Sequence, residues 1–234
     1  MLRTILLLSL LFLPFSDCYA ASRVALVIGN STYLHAPKLS TPQSDAAGMA
    51  RALKSSGFEV FEGSDLNKRD FESKLRDFAA AAKGAEAALF FYAGHSLQMA
   101  RRNYLMPVDA GLSNAATTET ELVKLDDILA VLQEAAPIRL VFLDAARVNP
   151  LARSLAAQST EIRPGLAQVE PLDGMLISFA TIPGREVAVG SGTHSAFGGA
   201  LIKQITQSDK DLGELLRDMR TEVLEKTRNV QMPW

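Results

Sequence analysis

Few side chains in this 234-residue chain can make or break a covalent bond, since it holds only three histidines and a single cysteine. His95 directly follows the apolar run 87–92 through Ala93-Gly94, and Ser96 stands next to it. A histidine in that place can move a proton near neutral pH, and would do so for a nucleophile brought beside it. Ser96 is badly placed for that part, because neighbouring side chains on an extended segment point apart. The following apolar strand, 139–143, runs into Asp144-Ala145-Ala146-Arg147, and Ala146 brings only a methyl group to its end. His35 and His194 fall in loops, and scattered histidines do not make a metal site, so neither metal nor cofactor is expected.

The elements that must carry these residues alternate. From Arg23 onward short β-rich runs are interleaved with segments of helical periodicity, the pattern of an α/β domain on a mostly parallel sheet. Strands are expected at 24–29, 58–61, 87–92, 139–143 and 175–181, with 103–107 as an edge piece returning from a short hairpin. Helices are expected from Pro42, with Thr41 as N-cap, to a stop at Gly57, and over 68–82, 125–134, 197–205 and 212–225. The charged stretch 209–226 reads as a solvated helix face. Segment 149–171 lacks periodicity and reads as a mobile surface loop, with Arg153 and Arg163 as basic sites within it, and 184–194 is a glycine-rich loop. Open parallel sheets bind ligands beyond the carboxyl ends of their strands, which gathers Asn30, His95, Ala146 and the loop after Thr181 along one edge. Gly29-Asn30-Ser31 also raises a flavodoxin-type nucleotide site, but neither G-x-G-x-x-G nor a P-loop lysine motif accompanies it.

Residues 1–21 differ from the rest: Arg3, an apolar run over 5–15, then the small-residue site Cys18-Tyr19-Ala20-Ala21. That is the make-up of a secretory signal peptide cleaved after Ala20 or Ala21, and the run is too short for a stable membrane anchor. A lipid-modified Cys18 fits less well, because Asp17 stands where a small residue would be wanted. Residues 22–234 then form one exported domain, periplasmic or secreted, without any thiol, so no disulfide or thiolate chemistry is available to it. A net charge of −2 gives no long-range attraction to nucleic acid or an anionic membrane.

The motifs are specific. Tyr92-Ala93-Gly94-His95 resembles the histidine motif of the caspase and metacaspase superfamily, and Asp144-Ala145-Ala146-Arg147-Val148-Asn149-Pro150 resembles its Asp-Ala-Cys-Arg-Asn-Asn-Pro motif. The two stand at the caspase spacing of a histidine about 50 residues upstream of the nucleophile. The opening strand, Asp45-Ala46-Ala47-Gly48-Met49, the run Asn103 to Asp109 and Gln231-Met232-Pro233-Trp234 are similar to the family as well, with Arg102 where a glycine is frequent.

This resemblance implies a caspase-like three-layer α/β sandwich, with a central sheet of about six strands flanked by helices. It also implies the chemistry of a cysteine endopeptidase, in which a thiolate attacks a peptide carbonyl while histidine handles the protons. His95 and Ala146 occupy the two catalytic positions, and Ala146 leaves the second without a nucleophile. The oxyanion region falls at Ser96 and Ala146, where Ser96 replaces the family's glycine. By the same resemblance, Asp45 and Asp144, with Ala93 beside them, form a pocket for a basic side chain, so the implied ligand is a peptide or protein presenting Arg or Lys. Asp45 would also be favourable in a first helical turn through the helix dipole alone, and Asp144 could merely cap its strand. Pairing with a second copy or a caspase-like relative through an edge strand is implied too. Two origins for Ala146 stay open: a natural loss of the nucleophile, favoured by the further departures at Ser96 and Val148, and a cysteine replaced in an active Arg/Lys-specific enzyme.

Overall fold

The structure, a computed structural model, describes residues 22–163, 165–187, 192–207 and 210–234. The expected signal peptide, 1–21, and positions 188–191 of the glycine-rich loop lie outside the described residues. In chain order the elements are β1 (Arg23–Gly29), α1 (Pro42–Ser55), β2 (Phe58–Ser64), α2 (Lys68–Ala82), β3 (Ala87–Ala93), β4 (Ser96–Met99), β5 (Arg102–Leu105), α3 (Ala115–Glu121), β6 (Val123–Lys124), α4 (Leu125–Ala135), β7 (Ile138–Asp144), α5 (Pro150–Ala156), β8 (Ile162–Arg163), β9 (Met175–Phe179), α6 (Ala196–Thr206) and α7 (Leu212–Lys226).

Five parallel strands form the central sheet in the order β2-β1-β3-β7-β9. Its central strands β1 and β3 are buried and apolar on both faces, as a sheet covered by helices on each side requires, while the edge strand β2 is only partly buried. Alternate residues divide between two cores. Val24, Leu26, Ile28, Phe90 and Tyr92 meet Phe71 and Phe78 of α2 and Leu132 of α4. Ala25, Val27, Leu89 and Phe91 meet Met49 and Leu53 of α1, Phe197 and Leu201 of α6 and Met219 of α7. The result is helix, sheet, helix. Each fully buried Phe or Leu removed from water contributes about 1.5–3 kcal/mol, so both layers are strongly held. Gly29 is required at the end of β1, where a Cβ would come within 2.2 Å of the Pro42 carbonyl oxygen and push α1 away.

About six central strands were expected, and among the described residues the sheet has five. At the open side of β9, Trp234 exchanges backbone hydrogen bonds with Phe179 in both directions, at 2.8 and 3.0 Å, as an antiparallel neighbour does. A second, antiparallel sheet, β6-β5-β4-β8, sits over its own apolar cluster, which includes Tyr33, Leu97, Tyr104 and Leu155. The expected hairpin piece is β5.

Segment 149–171 is only in part the loop its composition suggested, since α5 and β8 lie within it. Asn149 caps α5 by accepting from the Leu151 amide, and Pro150 takes the first helical position as Pro42 does in α1; Ala152 and Leu155 are buried, and β8 pairs with β4. Helix α3, capped by Asn114, also lacked a periodic signal, being one polar seven-residue segment. Thr41 holds the N-cap position of α1 without capping it through its side chain. The Gln43 amide donates to Ser31 Oγ instead, at 3.2 Å.

Candidate functional site

Parallel pairing sets the site. Ala93 of β3 lies opposite Asp144 of β7, so His95 and Ala146 leave adjacent strands at the same level. Asn30, expected on this edge, is buried and used structurally: its side chain donates to Met106 O at 3.1 Å and accepts from the Leu66 amide at 3.0 Å.

His95 is completely buried and held through its backbone by two tyrosines. Its amide donates to the Tyr33 hydroxyl at 2.7 Å, and the Tyr92 hydroxyl donates to its carbonyl at 2.9 Å. Gly94 lets both phenols in, since a Cβ there would stand 2.5 Å from one hydroxyl and 2.6 Å from the other. The ring lies against Tyr33, centroids 4.7 Å apart, and Nε2 meets the Pro37 carbonyl at 2.9 Å. A carbonyl can only accept, so the proton of a neutral His95 sits on Nε2 and the lone pair on Nδ1. Nδ1 is buried and makes no hydrogen bond among the described residues. Burial, assisted by the nearby Arg147 guanidinium and opposed by the bond to Pro37, lowers the imidazole pKa below its ordinary value.

Ala146 is buried, and its carbonyl accepts from the Val187 amide at 2.7 Å, tying it to the loop after β9. Ser96 opens β4, and its hydroxyl donates to the Ala145 carbonyl at 2.6 Å. That contact engages the serine away from the His95 lone pair. Ala93 is fully buried in the same core as Phe197 and Ala46.

Asp45 and Asp144 do converge, and Ser195 joins them. Its hydroxyl donates to Asp144 Oδ2 at 2.5 Å and its amide to Asp45 Oδ1 at 3.0 Å, while the same hydroxyl caps α6 by accepting from the Gly198 amide. His194, in a loop as expected, brings its Nδ1 to 3.0 Å from Asp45 Oδ1, a contact its loop position did not announce. Thr41 turns its hydroxyl to Asp45 as well. On the other oxygen of Asp144, Arg147 Nη2 sits at 2.5 Å, both side chains being almost wholly buried. Burial and the neighbouring Asp144 charge push the Asp45 carboxyl up to about 6. A Cβ on Gly198 would fall 2.9 Å from Asp45 Cγ and from Ser195 Oγ.

Sequence reasoning missed Pro37, Tyr33, Ser195, His194 and Gly198, and named Arg147 only as a motif letter. Ser195 before Ala-Phe-Gly-Gly was visible as a helix cap. The Pro37 contact is made by a backbone carbonyl, which no residue type announces.

A helix-sheet-helix sandwich on a parallel sheet of this order, with its polar residues gathered where β3 and β7 end, defines a caspase-like domain. The family model of the caspase domain matches residues 22–234, and the chain belongs to that family. Among curated proteins it is similar to human mucosa-associated lymphoid tissue lymphoma translocation protein 1, 31% identical over 124 residues that make up 53% of this chain and 15% of that protein. The mouse homolog is matched over the same span with the same identity. Caspase-1 of the cat is 31% identical over 86 residues, 36% of this chain and 21% of that one. The chain thus covers only a small part of the length of these relatives.

Proposed function

We propose that this caspase-like domain binds a peptide or partner protein presenting Arg or Lys and does not cleave it. The observation that carries this reading is Ala146, whose buried methyl group lies at the level of His95 on the adjacent strand end. Peptide cleavage by this family's chemistry needs a thiolate there, to form a thioester that water then hydrolyses. A methyl group forms no such bond. In a comparable serine system, loss of the nucleophile costs on the order of 10⁶-fold in rate. His95 would be the base and the amides near Ser96 and Ala146 the oxyanion donors, with Asp45, Asp144 and Ala93 forming the pocket before the scissile bond. Export after removal of residues 1–21, and pairing with a second copy or a caspase-like relative, belong to the same proposal.

The test compares the protein with Ala146→Cys on fluorogenic peptides varied at the residue before the bond. No turnover by the unmutated protein, with cleavage after Arg or Lys by Ala146→Cys, is the expected result. Turnover by the unmutated protein that is lost in His95→Ala would overturn the reading. The second reading, an Arg/Lys-specific endopeptidase whose cysteine has been replaced, is favoured by the setting of His95. Its tautomer is fixed by Pro37 and its Nδ1 lone pair has no partner among the described residues, as a base would be left once its thiol is gone. The codon at position 146 in the source gene decides between the two.

A further inference from the structure

We infer that Arg147 is the resident occupant of the acidic pocket: its guanidinium fills the place of a ligand's basic side chain, and a ligand enters only by displacing it. This rests on the reading of Asp45 and Asp144 as that pocket.

Charge balance is the first reason. Two buried carboxylates share the hydroxyl and amide of Ser195, and leaving both unpaired by any cation would be costly. Arg147 supplies that cation, with Nη2 at 2.5 Å from Asp144 Oδ1 and the two side chains only 3% and 1% exposed. A guanidinium so placed already pairs that oxygen. Among the described residues the other contacts to the carboxylates, from Ser195, His194 and Thr41, are hydroxyl and amide donors or a half-buried imidazole. None of them is a permanent cation.

The backbone around Arg147 supports an exchange by side-chain motion alone. Its amide donates to the Ala145 carbonyl at 2.9 Å, and the residue bridges to Val187 of the loop after β9. The main chain therefore stays in place while the long side chain has rotamers to choose from. Exchange trades one guanidinium for another in the pocket and returns the displaced one to water. The net electrostatic change is small, and the fraction of molecules with the pocket open sets the apparent affinity. Neutral side chains cannot make this trade, so Arg147 sharpens discrimination for charge while weakening affinity.

The experiment is calorimetric titration of Nα-acetyl-arginine amide, with Nα-acetyl-citrulline amide as the neutral isostere, into the unmutated protein, Arg147→Gln and Arg147→Lys. The expected result is at least a tenfold gain in affinity for the arginine derivative with Arg147→Gln and none for the citrulline one. Arg147→Lys retains a cation beside the carboxylates and with it the folded state, and should gain roughly threefold, because a strongly hydrated ammonium on a flexible stem holds the buried carboxylate less well than a guanidinium does. Equal affinity of the variants and the unmutated protein overturns the inference and leaves the pocket reading standing. No binding of the arginine derivative to any of the three removes the pocket reading, and the inference with it.

Discussion

Replacing Asp45 by Asn should change how stability depends on pH, in a direction set by the buried pair. The Asp45 carboxyl is pushed from an ordinary 3.8 to about 6 by burial and by the charge of Asp144. A carboxyl whose folded pKa is raised binds more protons folded than unfolded, so its contribution is favourable below about 4 and is lost as pH climbs to about 6. At 1.36 kcal/mol for each tenfold change in proton affinity, the loss is about 3 kcal/mol at most. His95 acts oppositely: its pKa is lowered, so it costs stability as pH falls below its ordinary value of 6.5. The raw curve therefore mixes two opposed slopes, and the useful quantity is the variant minus the unmutated protein. Asn keeps the shape and cannot ionise, which leaves a constant offset from its poorer acceptance of the Ser195 amide. Urea unfolding followed by far-UV circular dichroism is the assay, since the sole tryptophan, Trp234, is half exposed and reports poorly on the core. Between pH 4 and pH 7 the difference should rise in favour of Asp45→Asn by up to about 3 kcal/mol and then level off. A flat or falling difference across that window would refute the reasoning.

Gly198→Ala places a methyl against Asp45 and Ser195 and should lower the urea midpoint by the equivalent of about 1–3 kcal/mol. Tyr33→Phe removes the acceptor of the buried His95 amide, so that amide should exchange with deuterium faster and stability should fall by about 1–3 kcal/mol. Followed by NMR, the His95 imidazole should titrate below its ordinary range, and Arg147→Gln should raise its pKa by removing a nearby cation. Phe78→Ala, at a fully buried position on α2, should cost about 3–5 kcal/mol in denaturant titrations without altering the site.

Much of this fold is legible in the sequence because the chain obeys two simple periods. The seven residues of β3 are all buried and read as one unbroken apolar run, and α2 begins and ends where its amphipathic pattern does. Helix α5 and β8 were not legible, since seven and two residues are too few to show a period. His95, Ala146, Asp45 and Asp144 were found because motifs carry them. Their partners were not: His194 and Ser195 lie about 150 residues from Asp45 along the chain, and only the folded sheet brings them back. The internal pairing of Asp144 was hidden for a different reason, as a motif shows that Arg147 is present and not which way it turns.

The contact from His95 to Pro37 has a consequence for how such a domain diverges. Every amino acid carries the same carbonyl, so substitution at position 37 leaves the acceptor in place whenever the chain follows the same path. What the orientation of the imidazole depends on is the number of residues between β1 and α1. A single insertion or deletion there would carry the carbonyl out of reach and free the ring. The information that aims His95 is therefore written in a spacing, and it would surface among diverging relatives as a stretch intolerant of gaps and indifferent to spelling.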